Sequence, residues 1–288
     1  MLPADPHDHP TPQLVPRLSP GLRVVRRGRH HLQVGLYDER RVLLPRTEAV
    51  ERTLAMLLQR RPVGSDPTTW AMLDRLEGNG CLTWQSPTPA DRPGVGILGG
   101  FTGPGLPDVT ALLAAAEVDV TPGPEADAVL VLSPGELDRD RLDPLVRSRT
   151  SHVVVRLVDG GAVLGPFVVP GRTACLRCID AHQSVGDPDH VAVTTRYARA
   201  TARARQDGVP DLDPALASIA LAWAVRDVVT HLEGHEPATW SRTVHLGAPP
   251  THLKEQRWLR HPRCGCSWPA DAEYLRPAVV PSPQDREE

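Results

Sequence analysis

The chain has 288 residues, with 32 basic against 35 acidic side chains and a formal net charge of −3. That balance does not steer it toward nucleic acid or an anionic membrane. With no run of about 18 apolar residues and no basic-then-apolar N-terminal segment, neither a membrane span nor export is expected. The expected compartment is the cytoplasm, and 40% apolar residues are enough for a core in one large or two modest domains.

The first twenty residues hold six prolines, so 1–21 is expected to be loose, as is the proline-rich, charged stretch 269–288. Leu22–Tyr37 alternates well enough for two strands turning near Gly28, and Arg41–Leu44 supplies a third. Thr47 then caps a helix with Val50, Leu54, Leu57 and Leu58 at helical spacing. Asp66-Pro67 opens a second helix, running through Trp70, Leu73 and Leu76 to Gly78. Three strands followed by helices read as a small winged-helix-like module over 22–84. The polar, proline-bearing stretch 85–93 reads as a linker.

From Gly94 the rhythm becomes that of an open α/β sheet. The expected order is strand Val95–Leu98, glycine loop Gly99–Gly105, helix Pro107–Ala116, strand Glu117–Val120, strand Asp127–Leu132 and helix Leu137–Arg147. A hairpin follows, His152–Leu157 turning at Asp159-Gly160-Gly161 into Val163–Val169. A long apolar helix over Pro214–Glu233 and a strand pair around Ser241–Leu246 and Lys254–Arg260 close a domain over 94–268.

Five cysteines are too few and too odd in number for a secreted disulfide framework. Four of them form the short pairs Cys175-Leu-Arg-Cys178 and Cys264-Gly-Cys266, 85 residues apart. Each spacing lets two thiolates bind one tetrahedral ion, so a structural zinc held by Cys175, Cys178, Cys264 and Cys266 is expected. A redox Cys-x-x-Cys would give no work to the second pair. His182 and His261 read as ordinary histidines and Cys81 as a small buried hydrophobe.

The glycine loop is a degenerate dinucleotide fingerprint. Counted from Gly99, its second and third glycine positions are Phe101 and Pro104; counted from Gly100, the second is Thr102. Its remaining candidates for a nucleotide are Gly99 and Gly103, with Asp119 as a ribose ligand twenty residues after Gly99.

The run from Leu164-Gly-Pro-Phe-Val-Val-Pro-Gly through Cys175-Leu-Arg-Cys178 to Asp180, with His261-Pro-Arg-Cys-Gly-Cys266, resembles the ThiF type, the ubiquitin-activating-enzyme-like superfamily. Within it, these residues look like the bacteriocin-biosynthesis cyclodehydratase domain, the leader-peptide-binding proteins of thiazole/oxazole-modified peptide pathways. The resemblance implies a Rossmann-type sheet with a zinc-binding C-terminal part, preceded by a winged-helix peptide-recognition module. It implies a protein that binds the leader of a ribosomal precursor peptide and presents it to a YcaO-type cyclodehydratase. An extended leader would add to the free edge Arg41, Val42, Leu43, Leu44 and press on Trp70 and Leu73, both of which also read as plain core. Two features depart from the pattern. Only two helices are clear in the module where three are usual. Where adenylating relatives use a lysine and an aspartate for ATP and magnesium, this chain has Ser133-Pro-Gly-Glu136 and no lysine before Lys254. Catalysis by this chain alone and ATP binding are therefore not expected; an adenylyltransferase and a nucleotide-sensing protein are the alternatives, and homodimerisation stays open.

Overall fold

The computed structural model describes residues 15–85, 92–101, 106, 108–122, 125–206, 213–247 and 253–266. The chain divides into two compact units between Arg92 and Pro93.

The first unit runs β1 (Val15–Leu18), β2 (Val24–Arg27), β3 (His31–Val34), β4 (Val42–Pro45), α1 (Glu48–Leu58), α2 (Pro67–Glu77) and β5 (Leu82–Gln85). Thr47 caps α1 by accepting from the Val50 amide at 3.3 Å, and Asp66 caps α2 by accepting from the Thr69 amide at 3.0 Å. Val50, Leu54 and Leu57 on α1, and Met72, Leu73 and Leu76 on α2, bury their faces against Leu32, Val34, Val42 and Leu44 of an antiparallel β2-β3-β4 sheet. Cys81 is fully buried in that core, its Sγ donating to Arg40 O at 3.2 Å.

One expectation is corrected here. Val15–Leu18, within the stretch read as loose, is a strand paired antiparallel with β5, Val15 opposite Gln85 and Leu18 opposite Leu82. The Ser19 amide bonds Cys81 O at 2.9 Å, which fixes the alternation and turns the Pro16 nitrogen away from β5. A proline there removes no ladder bond, so the proline count did not preclude a strand.

The second unit runs β6 (Gly94–Gly99), α3 (Val109–Ala115), β7 (Asp119–Val120), β8 (Ala128–Ser133), α4 (Asp143–Arg147), β9 (Ser151–Val158), β10 (Gly161–Val168), α5 (Leu176–Gln183), α6 (His190–Gln206), α7 (Pro214–Leu232), β11 (Arg242–Leu246) and β12 (Leu253–Arg257). They form a seven-stranded mixed sheet ordered β12-β11-β10-β9-β8-β6-β7. Strands β7, β6, β8 and β9 are parallel, and β9 through β12 antiparallel. The apolar strands are buried on both faces. Val153, Val155 and Leu157 meet α3 and α7 on one side; Val154 packs with Leu142, Cys175, Leu176 and Ile179 on the other. Helix α7 has the length and apolarity of a membrane span, but its apolar surface is what the sheet covers.

Two elements differ from expectation. The helix expected over Leu137–Arg147 is a 3-10 turn, Arg139–Arg141, followed by the short α4, because Pro144 cannot donate into a continuous helix and fits only a first turn. The strand expected from Glu117 begins at Asp119, since Glu117 has φ +60 and is still closing α3.

Candidate metal centre

The two cysteine pairs reach one point by different routes. After β10, Thr173 takes the Val169 amide at 2.7 Å and donates to Phe167 O at 3.1 Å, fixing a turn that delivers Cys175 to the N-cap of α5. The Cys175 side chain makes no cap bond, and Cys178 follows within the first turn. A thiolate at a helix N-terminus is favoured by the helix dipole. On the other route, buried Trp258 at the end of β12 donates its indole N–H to Thr243 at 3.0 Å, and its amide bonds Ser241 O at 2.8 Å. The chain then passes His182, whose Nε2–H donates to Leu259 O at 3.0 Å, into a turn closed by the Cys264 amide on His261 O at 3.1 Å. Gly265, at φ +79, reverses the backbone so that both Cys264 and Cys266 face inward.

All four sulfurs lie within 4.8 Å of one another and could hold a metal ion. Sγ–Sγ distances are 3.8 Å for Cys175–Cys178, 3.3 Å for Cys175–Cys264 and 3.4 Å for Cys178–Cys266. These are far beyond a disulfide's roughly 2.05 Å. The Cys175–Cys178 distance matches the ~3.8 Å edge of a tetrahedron with Zn–S near 2.3 Å, and the other two are shorter by up to about 0.5 Å. The His261 amide donates to Cys178 Sγ at 3.2 Å, a second contact that suits a thiolate. Hydrogen bonding among the thiols, Cys175 first, holds Cys178 well below the ordinary thiol range, and the same exchange, with Cys178 first, pushes Cys175 up. Protons are thus shared unevenly until a cation lets all four ionise. His182 and His261 stay outside the cluster, stacked edge to face at 4.9 Å.

A buried ion network that sequence reading missed lies beside this centre. Glu136 is held by Arg156 at 2.8 Å and by Arg139; Arg139 in turn makes a two-point bond to Asp180 on α5 at 2.8 and 2.9 Å, and His190 lies 3.4 Å from Asp180. The available signal was Arg156: strict alternation along an apolar strand puts it on the same covered face as Val154. Burial is the largest single effect on Glu136 and opposes its charge, but Arg156 and Arg139 together hold it down to about 2. Burial pushes His152 down to about 4 against the bond from its ring to Thr150 O, which favours the charged form.

Both groups have folded pKa values below their ordinary 4.5 and 6.5. Each therefore contributes its full stability above the ordinary value and loses it as pH falls through the folded one. Melting temperature is expected to fall first between pH 6.5 and 4 through His152, then between 4.5 and 2 through Glu136. The Glu136 step is worth about 3 kcal/mol. Melts across this range should show a smaller first step in His152→Asn, the remainder belonging to His231 and His245, which burial also holds below the ordinary imidazole range; an unchanged first step would count against the assignment.

The nucleotide candidates are not brought together. The Cβ position of Gly99 lies 2.2 Å from Leu132 O, so the approach of β8 accounts for the glycine without a phosphate. Gly103 lies outside the described residues. Asp119 pairs with Gly94, five residues before Gly99, about 16 Å back along the parallel strands. At the end of β8, a Cβ on Gly135 would meet Thr201 of α6 at 2.3 Å, and Glu136 is occupied by arginines. Among the peptide candidates, Val42, Leu44 and Leu73 are core, Arg41 and Trp70 are exposed, and Leu43 is half-buried.

No protein-family model and no curated protein matches the chain. Solved structures do. One described as the heterocyclase TruD aligns with 88% of this chain at 17% identity and TM-score 0.59, covering 43% of its own length. A heterocyclase in complex with substrate and cofactor aligns with 89% at 18% identity and TM-score 0.57, covering 40% of its length. Escherichia coli MccB aligns with 88% at 14% identity and TM-score 0.47. The chain thus shares a fold with heterocyclase structures and spans less than half of their length.

Proposed function

We propose that this chain captures the leader of a ribosomally made precursor peptide and presents it to a separate YcaO-type cyclodehydratase, with one structural zinc at Cys175, Cys178, Cys264 and Cys266. The likeness in fold to heterocyclase structures, one of them in complex with substrate and cofactor, supports a place in heterocycle-forming peptide modification. Zinc would supply no reaction step; four thiolates leave no open position, and its work is to join α5 to the segment after β12.

The observation that carries peptide capture is the edge of β4. The Arg46 amide bonds His30 O at 2.8 Å, and in the register Val34↔Val42 to His31↔Pro45 this makes Val42 and Leu44 the residues bonded to β3. Pro45, which has no N–H, falls where the nitrogen points away. Leu43 therefore presents its N–H and C=O outward, beside the exposed Arg41. An extended peptide adding here gains main-chain bonds, and exposed Trp70 on α2 gives it an apolar contact.

Calorimetry with the precursor encoded beside this gene is expected to give micromolar to nanomolar affinity. Leu43→Pro, which removes the outward donor and leaves the β3 ladder intact, should weaken it by about tenfold or more. Val42→Pro should instead open the sheet and the core. No binding by the wild type, or equal binding by a folded Leu43→Pro, would sink the reading and favour a nucleotide-sensing protein.

A further inference from the structure

Helix α6 carries four arginines and no acidic residue. Arg196, Arg199 and Arg203, three and four residues apart, share one exposed face, and none of them reaches a carboxylate among the described residues. Arg41, Arg46, Arg52, Arg226 and Arg242 each have an acidic partner, whereas exposed Arg26, Arg29, Arg75 and Arg149 have none among the described residues, so what sets α6 apart is the gathering of three such arginines on one helix face. Beside α6 lies a groove of about 370 Å3, walled by Val191 and Arg199 on one side and by the turn from Leu137 to Asp140 on the other, with Arg263 also lining it. Arg263 likewise has no acidic partner among the described residues. Val191, Val193 and Tyr197 are about half exposed along the same helix.

We propose that this face of α6 and its groove dock an acidic polypeptide segment carrying apolar side chains between its carboxylates. Uncompensated like charges on one helix face repel one another, and an anionic partner relieves that repulsion. Val191, the half-exposed apolar side chain that lines the groove, rewards a partner with an apolar group of its own. Asp138 and Asp140 in the opposite wall oppose a continuous phosphate polymer, whereas a peptide can place a neutral or basic residue there. The inference stands on the second unit alone and does not depend on the β4 edge.

The test is fluorescence anisotropy on the full chain with a short labelled peptide of Glu-Leu-Ala repeats. A Gln-Leu-Ala version, a single-stranded DNA oligonucleotide and phosphatidylserine vesicles are run in parallel. The Glu peptide should bind at least about tenfold more tightly than the Gln peptide and weaken with salt. Binding should fall by a similar factor in a combined Arg196→Glu, Arg199→Glu, Arg203→Glu protein and survive in Leu43→Pro. A combined Arg→Gln protein, with folding checked by circular dichroism, repeats the measurement if charge reversal disturbs the helix. Equal binding of the two peptides, undiminished binding by both arginine variants, or tighter binding of DNA or vesicles through α6 would overturn the proposal.

Discussion

Replacing Cys264 by serine is expected to release the metal and to lower the melting temperature of the zinc-loaded protein by about 10 °C or more. Structural zinc binding is itself folding free energy, on the order of 10 kcal/mol in small peptides. Three thiolates and a hydroxyl retain only part of it. For a unit of this size each kcal/mol moves the midpoint by about 2–4 °C, so a loss of ~3–5 kcal/mol gives the expected drop. Cys264 and Cys266 are only half-buried, so serine introduces no large cavity and the effect reports on the ion. Metal content and native-state thiol alkylation make the check. One zinc per chain with four protected thiols in the wild type, and neither in the variant, is the expected pattern. Purified wild type with no bound metal and freely alkylated cysteines would reject it. Cys81→Ser, in the other unit, should leave metal content unchanged.

Arg139→Met should cost about 3–5 kcal/mol, measured as a shift of the denaturant midpoint at constant slope. It deprives Asp180 of both its guanidinium bonds and Glu136 of one, with the two carboxylates only 9% and 12% exposed. Leaving a buried charge without its partner is far more costly than never having it there. Pairing Arg139→Met with Asp180→Leu should therefore recover a good part of the loss. A single variant that loses under about 1 kcal/mol would show that solvent reaches these groups.

What was legible in the sequence was whatever local spacing determines. The caps at Thr47 and Asp66, the alternation of β2 and β3, the buried strand Ala128–Ser133 and the hairpin at Asp159 all follow from neighbours a few residues apart. The two cysteine pairs were legible for the same reason, although their meeting point was inferred rather than seen. Pairings across long separations were not legible. The alignment of Val15–Leu18 with Leu82–Gln85 crosses the whole first unit, and a proline count conceals it. Arg139 meets Asp180 across 41 residues, and nothing local to either distinguishes it from an ordinary surface charge. Leu73 and Trp70 were treated alike because both are apolar on one helix; Thr69, Met72, Leu73 and Leu76 form the buried stripe of α2, and Trp70, about 100° round from Thr69, falls outside it.

The separation of the two cysteine pairs along the chain sets an order of events during synthesis. Cys175 and Cys178 leave the ribosome 89 and 86 residues before Cys264, and α6, α7, β11 and β12 lie between. An ion captured early can have only two thiolates from this site. The full complement forms once β11 and β12 have added to the sheet and carried the second pair back to α5. Tight retention of the ion is then a stamp placed on finished molecules: a chain stalled before its last two strands stays chelator-sensitive and can be told apart, by the cell or in the test tube, from one that has completed its sheet.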